Sequence, residues 1–149
     1  MFNLFRKKQI PLIIHQYKNL IIALPAHWQY ESEGEDQEAC FDPKSKSSLR
    51  FNIMEAIPPE GINEDENLKL LIAGLPYATT VHGTILAGPA YKESEDNGVM
   101  IMLITWRLIK PEKTIAVITY TVLSAEKDSA SEKKTLNLIR TSLLNAQLT

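Results

Sequence analysis

The chain has 149 residues, of which 44% are hydrophobic and 23% are charged. This composition is typical of one globular domain, and a chain of this length can bury a core without a metal or disulfides. A net charge of −2 provides no excess of Lys and Arg, so we expect no nucleic-acid partner. Cys40 is the single cysteine, which excludes an intrachain disulfide and favours a reducing compartment.

The N-terminal segment places its apolar residues before its basic ones, the reverse of a secretory signal. The apolar stretch after it is interrupted by polar residues too often to span a bilayer. We therefore expect a cytoplasmic protein, with a disordered lead-in over residues 1–9 and a single domain over 10–149. A partner could contact the lead-in, although a frayed terminus is the commoner outcome and membrane contact is not expected. The candidate contact residues are Phe2, Leu4, Phe5, Arg6, Lys7 and Lys8.

The first third of the chain predicts strands. Two short apolar runs, 11–17 and 20–24, flank a turn-like Lys-Asn pair. The acidic stretch 31–38 is predicted to be a solvated hairpin loop, because it lacks the alternating ligands of a calcium-binding loop. A short strand at 39–41 and an alternating strand at 49–57 come next.

The sequence "LPAHW" at the end of the second apolar run has two interpretations. Trp28 could stack on a ligand while His27 serves as an acid, a base or a metal ligand. Alternatively, Pro25 ends the strand because proline cannot donate to a sheet, and Trp28 folds back onto the core. The second interpretation is favoured, since tryptophan is usually buried for its large apolar area.

Two helices are predicted. Asn63 is a suitable N-cap for the first helix, acidic residues 64–66 occupy its first turn, and Gly74 and Pro76 end it. Its apolar stripe is Leu68, Leu71, Ile72 and Leu75. For the second helix, Ser129 and Glu132 match a capping box. Its inward stripe is Leu136, Ile139 and Leu143.

An antiparallel meander is predicted between the helices, from residue 84 to residue 123. Asn97-Gly98 suits a tight hairpin turn. The run 99–109 is apolar at nearly every position and predicts a central strand covered on both faces. The returning strand, 114–123, has a threonine-rich face that should be partly exposed. The predicted class is α+β: an antiparallel sheet of about seven strands packed with two helices.

The order and spacing of these elements resemble the PsbP-like fold of the photosystem protein PsbP and the nuclear-import protein Mog. The similarity rests on "LIIALPAHW", "FDPKSKSSLRFNI", the helix "DENLKLLIAGL", the meander and the closing helix "KKTLNLIRTSLLNA". It also extends to small cytosolic bacterial families of unknown function. The resemblance implies a binding partner or adaptor, because proteins of this fold act mostly in that way and share no catalytic residues.

No constellation for catalysis, metal or cofactor binding is evident. His15, His27 and His82 are isolated, and no cysteine pair has zinc-ligand spacing. Cys40 lies in a predicted strand beside acids that would raise the pKa of its thiol. The glycines of "GLPYATTVHGTILAGP" have the wrong spacing for a nucleotide fingerprint. We expect no enzyme and no cofactor.

The leading hypothesis is a non-enzymatic domain that binds another protein through an exposed face or edge of its sheet, as a monomer or weak homodimer. The alternative is a small-molecule or lipid-binding domain with an apolar pocket between sheet and helix, lined by Met100, Met102 and Trp106. An enzyme ranks third. The residues expected to be largely buried are Trp28, Phe51, Leu71, Ile101, Leu103, Trp106, Val117, Leu136, Ile139 and Leu143.

Overall fold

A computed structural model describes residues 10–149. It contains two antiparallel sheets and two helices, an α+β fold as predicted. The helices are α1 (Glu64–Ile72) and α2 (Ala130–Leu144). The strands are β1 (Leu12–Tyr17), β2 (Leu20–Pro25), β3 (Gln29–Ser32), β4 (Gln37–Phe41), β5 (Ser48–Glu55), β6 (Tyr77–Thr79), β7 (Ile85–Asp96), β8 (Val99–Lys110), β9 (Thr114–Leu123) and β10 (Gln147–Leu148).

The strands form a seven-stranded sheet and a separate three-stranded one. The large sheet has the order β3-β4-β5-β9-β8-β7-β6, and the small sheet has the order β1-β2-β10. The seven strands agree with the predicted number, but β1 and β2 leave the large sheet and pair with the C-terminal strand instead. Strands β3, β6 and β10 are short, and the sequence predicts none of them as strands.

The main core lies between the two sheets. Because side chains alternate along a strand, β5, β8 and β9 direct one row each towards the small sheet, including Phe51, Trp106 and Ile118. Strand β2 and helix α2 cover this inner face. Five of the ten predicted core residues are buried as expected: Trp28, Phe51, Trp106, Ile139 and Leu143.

Strand β8 is central in the sheet as predicted, but its second face is covered only in part. Its outer face carries Ile101 and Leu103, which are only half-buried, as is the neighbouring Val117 on β9. Helix α1 covers only one end of the outer face, where it packs near Ile109 and Ile115. The half-buried state of two further predicted core residues, Leu71 and Leu136, reflects their positions at the margins of the helix–sheet contacts.

The helix starts are close to the prediction, with one difference. The side chain of Asn63 accepts a 2.9 Å hydrogen bond from the backbone N–H of Glu66, as an N-cap does. Ser129 likewise accepts from the backbone N–H of Glu132. The carboxylate of Glu132, however, turns into the protein instead of closing a capping box, because Tyr120 and Ser47 offer it two buried hydroxyl donors.

Candidate functional site

A cleft of about 450 Å³ lies between the β7–β8 hairpin and the first half of α2. Its floor is apolar and its rim is charged. We call it the hairpin cleft; its lining residues are Tyr91, Met102, Ile104, Lys127, Asp128, Lys133 and Leu136.

The cleft exists because the hairpin carries inward-facing side chains that α2 does not fully cover. The register pairs Tyr91 with Ile104 on the inner face of the hairpin. Ile104 is buried in the core, whereas Tyr91 is 64% exposed. Met102 and then Met100 lie further along the same face towards the Asn97-Gly98 turn, and Met100 is 44% exposed. The inner face of the hairpin therefore changes from core to open apolar surface along its length.

Charged groups border this surface on two sides. Lys127 and Lys133 lie on the wall beside α2, with Asp128 between them in sequence. The strand register places Glu93 opposite Met102 and Glu95 opposite Met100, so β7 contributes acidic side chains beside the methionines of β8. Across residues 10–149, no ion pair joins the lysines to these acids. The cleft can thus contact an apolar group while offering cations on one side and anions on the other.

The outer face of the large sheet is a second exposed surface, and it is more polar. A depression there is lined by polar and apolar side chains together: Gln37, Arg50, Asn52, Met54, Leu103, Val117, Thr119 and Thr121. Arg50 donates a 2.8 Å hydrogen bond to Glu33, and this bond lowers the pKa of the Glu33 carboxyl. The main charge of this surface is therefore already paired, while Met54, Leu103 and Val117 also leave some apolar area there.

A buried polar cluster lies between the sheet and the start of α2. The carboxylate of Glu132 accepts hydrogen bonds from Ser47 (2.8 Å) and from Tyr120 (2.6 Å). Burial and the neighbouring Glu132 raise the pKa of Tyr120. An adjoining space of about 50 Å³ is large enough for water but not for a substrate of ordinary size. These groups satisfy one another, which fits a structural role.

Cys40 is completely buried beside this cluster. Burial, with a smaller contribution from Glu38, strongly raises the pKa of its thiol. Because the thiolate is the reactive form, this cysteine is a poor nucleophile near neutral pH. The prediction that neighbouring acids raise its pKa is confirmed, although burial is the larger cause.

Each of the three histidines has a local partner. His15 pairs with Glu38 and stacks on Tyr30, with ring centres 3.7 Å apart. His27 lies 3.4 Å from Asp42, and His82 lies 3.3 Å from the side-chain amide of Gln147. Within the part of the chain that the structure describes, no three His, Cys, Asp or Glu residues gather as metal ligands.

The sequence-predicted site residues have different outcomes. The candidate contact residues Phe2, Leu4, Phe5, Arg6, Lys7 and Lys8 lie outside the described residues. Trp28 packs into the core after Pro25 ends β2, so the structural interpretation of "LPAHW" is confirmed. Of the expected pocket residues, Met102 lines the hairpin cleft, but Trp106 is buried in the core.

The sequence did not reveal the cleft as a whole. Its walls come from residues 91–104 and 127–136, which only the folded chain brings together. The available signal was the alternation of the hairpin, in which Met100, Met102 and Ile104 share one face. Among residues 10–149, no helix has the length and apolar character needed to cross a membrane.

Comparison with known proteins yields similarities of structure only. No protein-family model matches the chain, and no curated protein matches it. A protein from Bacteroides thetaiotaomicron is similar in structure, with a TM-score of 0.53 and 14% sequence identity. The match covers 76% of this chain but 42% of that protein, so this chain spans less than half its length. This likeness shows a shared fold alone.

Two further solved structures are similar over most of their length. Cyanobacterial PsbP from Synechocystis matches with a TM-score of 0.46 and 10% identity, over 95% of both chains. A Pseudomonas aeruginosa protein of unknown function, described as a putative regulator, matches with a TM-score of 0.40 and 12% identity. That match covers 85% of this chain and 93% of the other. PsbP is thus among the structural neighbours, as the sequence resemblance predicts.

Proposed function

We propose that this protein is a non-enzymatic binding domain whose hairpin cleft receives an apolar segment of another protein. The observation that carries the proposal is the row of exposed apolar side chains on the inner face of the β7–β8 hairpin, led by Tyr91 and Met100. Such residues cost free energy while they face water, and a partner that covers them recovers it.

The shape and side chains of the cleft support a protein partner. Tyrosine contributes much contact area at binding sites, and methionine adapts to partners of different shape. A cleft that leaves Tyr91 64% exposed does not enclose a ligand, whereas small-molecule sites bury most of the ligand surface. An amphipathic helix laid along the cleft would cover the wall and the floor together.

The charges at the rim suggest how such a segment would be oriented. Lys127 and Lys133 favour acidic side chains along the edge that faces α2, while Glu93 favours a basic residue along the hairpin edge. Pairs of this kind at an exposed rim contribute mainly to orientation and association rate, so affinity should depend mostly on the apolar contacts.

Site-specific photo-crosslinking tests the proposal. A photoreactive residue at Tyr91 should crosslink a partner in native lysate, whereas the same residue at Tyr77, which is 66% exposed at another part of the sheet, should not. Tyr91→Ala should weaken capture about tenfold or more, as loss of a central aromatic contact does, and Tyr77→Ala should not. Equal crosslinking at both positions, or capture that survives Tyr91→Ala, would contradict the proposal.

An amphipathic small anion is the second candidate, because two lysines stand over an apolar floor of suitable volume. A fluorescent long-chain carboxylic acid would then bind the purified protein, and the double substitution Lys127→Glu and Lys133→Glu would abolish binding. If the probe fails to bind while Tyr91 crosslinks a protein, the first proposal stands alone.

A further inference from the structure

Within residues 10–149, no strand pairs with the outer edge of strand β1. β1 is hydrogen-bonded to β2 on one side and is the terminal strand of the small sheet. From residue 10 onward, no other backbone group bonds to its second side. This edge is far along the chain from the hairpin cleft, and its pairing does not depend on the function proposed for that cleft.

The register of β1 determines which backbone groups face outwards. The N–H of Ala26 donates to the carbonyl of Pro11, so this pair is bonded across the two strands. Bonded pairs alternate in an antiparallel ladder. The backbone N–H and C=O groups of Ile13 and His15 therefore face β2, and those of the alternate residues face solvent. These outward residues are Leu12, Ile14 and Gln16.

Within the part of the chain that the structure describes, β1 itself also carries none of the features that usually keep edge strands apart. Proteins protect such edges with lysine, proline, bulges or a covering element. Pro11 and Lys18 flank β1, but no Lys, Arg, Asp or Glu occurs between them. Leu12 and Ile13 are about half exposed, and Ile14 is 77% exposed, so both polar backbone and apolar side chains face water at one place.

We infer that β1 pairs antiparallel with β1 of a second copy of this chain, about a two-fold axis at Ile14. This register places Ile14 opposite its own copy and Leu12 opposite Gln16 of the other chain. The outward N–H and C=O groups then meet as bonded pairs, two bonds at Ile14 and two at each Leu12–Gln16 pair. The two small sheets become one continuous six-stranded sheet.

A second copy fits this edge because the strand is complementary to itself. The three outward residues are spaced symmetrically about Ile14, so every outward donor finds an acceptor without a shift of register. No like charges meet, because Lys18 lies opposite Ile10 of the other chain. The contact brings apolar Ile14 against its copy on the exposed face, the kind of cross-strand pair that stabilises sheets.

Sedimentation of the purified full chain tests the inference. The wild-type protein should dimerise as its concentration rises, and Ile14→Lys, which sets two cations against each other, should weaken association at least tenfold. Ile57→Lys is the matched control, because Ile57 is 65% exposed and lies outside every strand; it should associate as the wild type does. Circular dichroism would verify that Ile14→Lys remains folded.

Cysteine crosslinking tests the register itself. Directly opposed residues in a bonded antiparallel pair have Cα atoms about 5.5 Å apart, within the range of a disulfide. Ile14→Cys should therefore form a covalent dimer under mild oxidation, and Ile57→Cys should not. Cys40 should not compete, because it is fully buried.

Three results would overturn the inference. The first is a wild-type protein that stays monomeric at about 100 μM, a concentration at which a contact worth about 5.5 kcal/mol would already associate. The second is association that Ile14→Lys does not change. The third is equal crosslinking of the two cysteine variants. A strand of a different protein at this edge would give the first of these results.

Discussion

The hydroxyl of Tyr120 donates a 2.6 Å hydrogen bond to the buried carboxylate of Glu132. Tyr120 belongs to β9 and Glu132 to the first turn of α2, so the bond joins the sheet to the helix. The favourable end of the helix dipole and the Ser47 hydroxyl also stabilise the carboxylate, which has no cationic partner among the described residues.

Tyr120→Phe should lower the free energy of unfolding by about 1–3 kcal/mol, because it leaves a buried carboxylate oxygen without its donor. Urea unfolding followed by circular dichroism would measure the change. Tyr77→Phe, at an exposed tyrosine, is the control and should change stability by less than about 0.5 kcal/mol. Equal effects of the two substitutions would show that the buried bond is not important.

Stability should decrease at alkaline pH. Burial raises the pKa of Tyr30 to about 12 and, together with Glu132, raises the pKa of Tyr120. Tyrosines of the unfolded chain ionise near pH 10, so above that pH the folded state holds more protons than the unfolded state. The contribution of these tyrosines to stability is then complete below pH 10 and is lost as pH rises above it.

Urea midpoints measured between pH 8 and pH 11 would test this dependence. Tyr120→Phe removes one of the two tyrosines and should give a shallower decline above pH 10. If the wild type and the variant declined equally, Tyr120 would not be a source of the effect.

Cys40 should be unreactive in the folded protein. Its burial raises the pKa of the thiol and blocks access to it. An aromatic disulfide reagent at neutral pH should therefore modify it only as fast as the chain opens, and urea should accelerate the reaction. The Ile57→Cys variant provides the control, since its added exposed thiol should react at once while Cys40 does not. Immediate reaction of wild-type Cys40 would contradict its placement.

Two leucines on opposite faces of β8 should respond differently to truncation. Leu108→Ala removes a completely buried side chain and should cost about 2–5 kcal/mol. Leu103→Ala acts on the open outer face and should cost only about 1 kcal/mol, less than a strand covered on both faces would show. Denaturant unfolding of both variants would measure the difference, and equal costs would indicate that the outer face is covered.

Gly88 should not tolerate a side chain. A Cβ atom there would lie 2.8 Å from the carbonyl oxygen of Thr105, and φ is +126°, a value that favours glycine. Gly88→Ala should therefore destabilise the protein more than Gly34→Ala, where φ is +88° but no atom lies within 4 Å. Backbone strain alone costs about 1–3 kcal/mol. The difference between the two variants in thermal or urea unfolding measures the steric contribution at Gly88.

Much of the fold could be predicted from sequence because its signals are local. Asn63 and Ser129 begin the helices since their side chains accept from backbone groups only three residues away. Asn97-Gly98 turns the hairpin because both residues adopt positive φ. These features, with the alternation of the strands, determined the α+β class and placed Trp28, Phe51 and Trp106 in the core.

Only the tertiary structure decided which surfaces are covered. The apolar run of β8 predicted two buried faces, but α1 is too short and too far towards one end to cover Leu103. The carboxylate of Glu132 accepts from the Tyr120 hydroxyl instead of closing a capping box at the start of its own helix. That hydroxyl comes from β9, so no local sequence pattern reveals it. The hairpin cleft and the open edge of β1 depend in the same way on pairings between distant segments. The sequence by itself determined each element and its apolar side. Burial of that side depends on which other element packs against it, and only long-range contacts decide that.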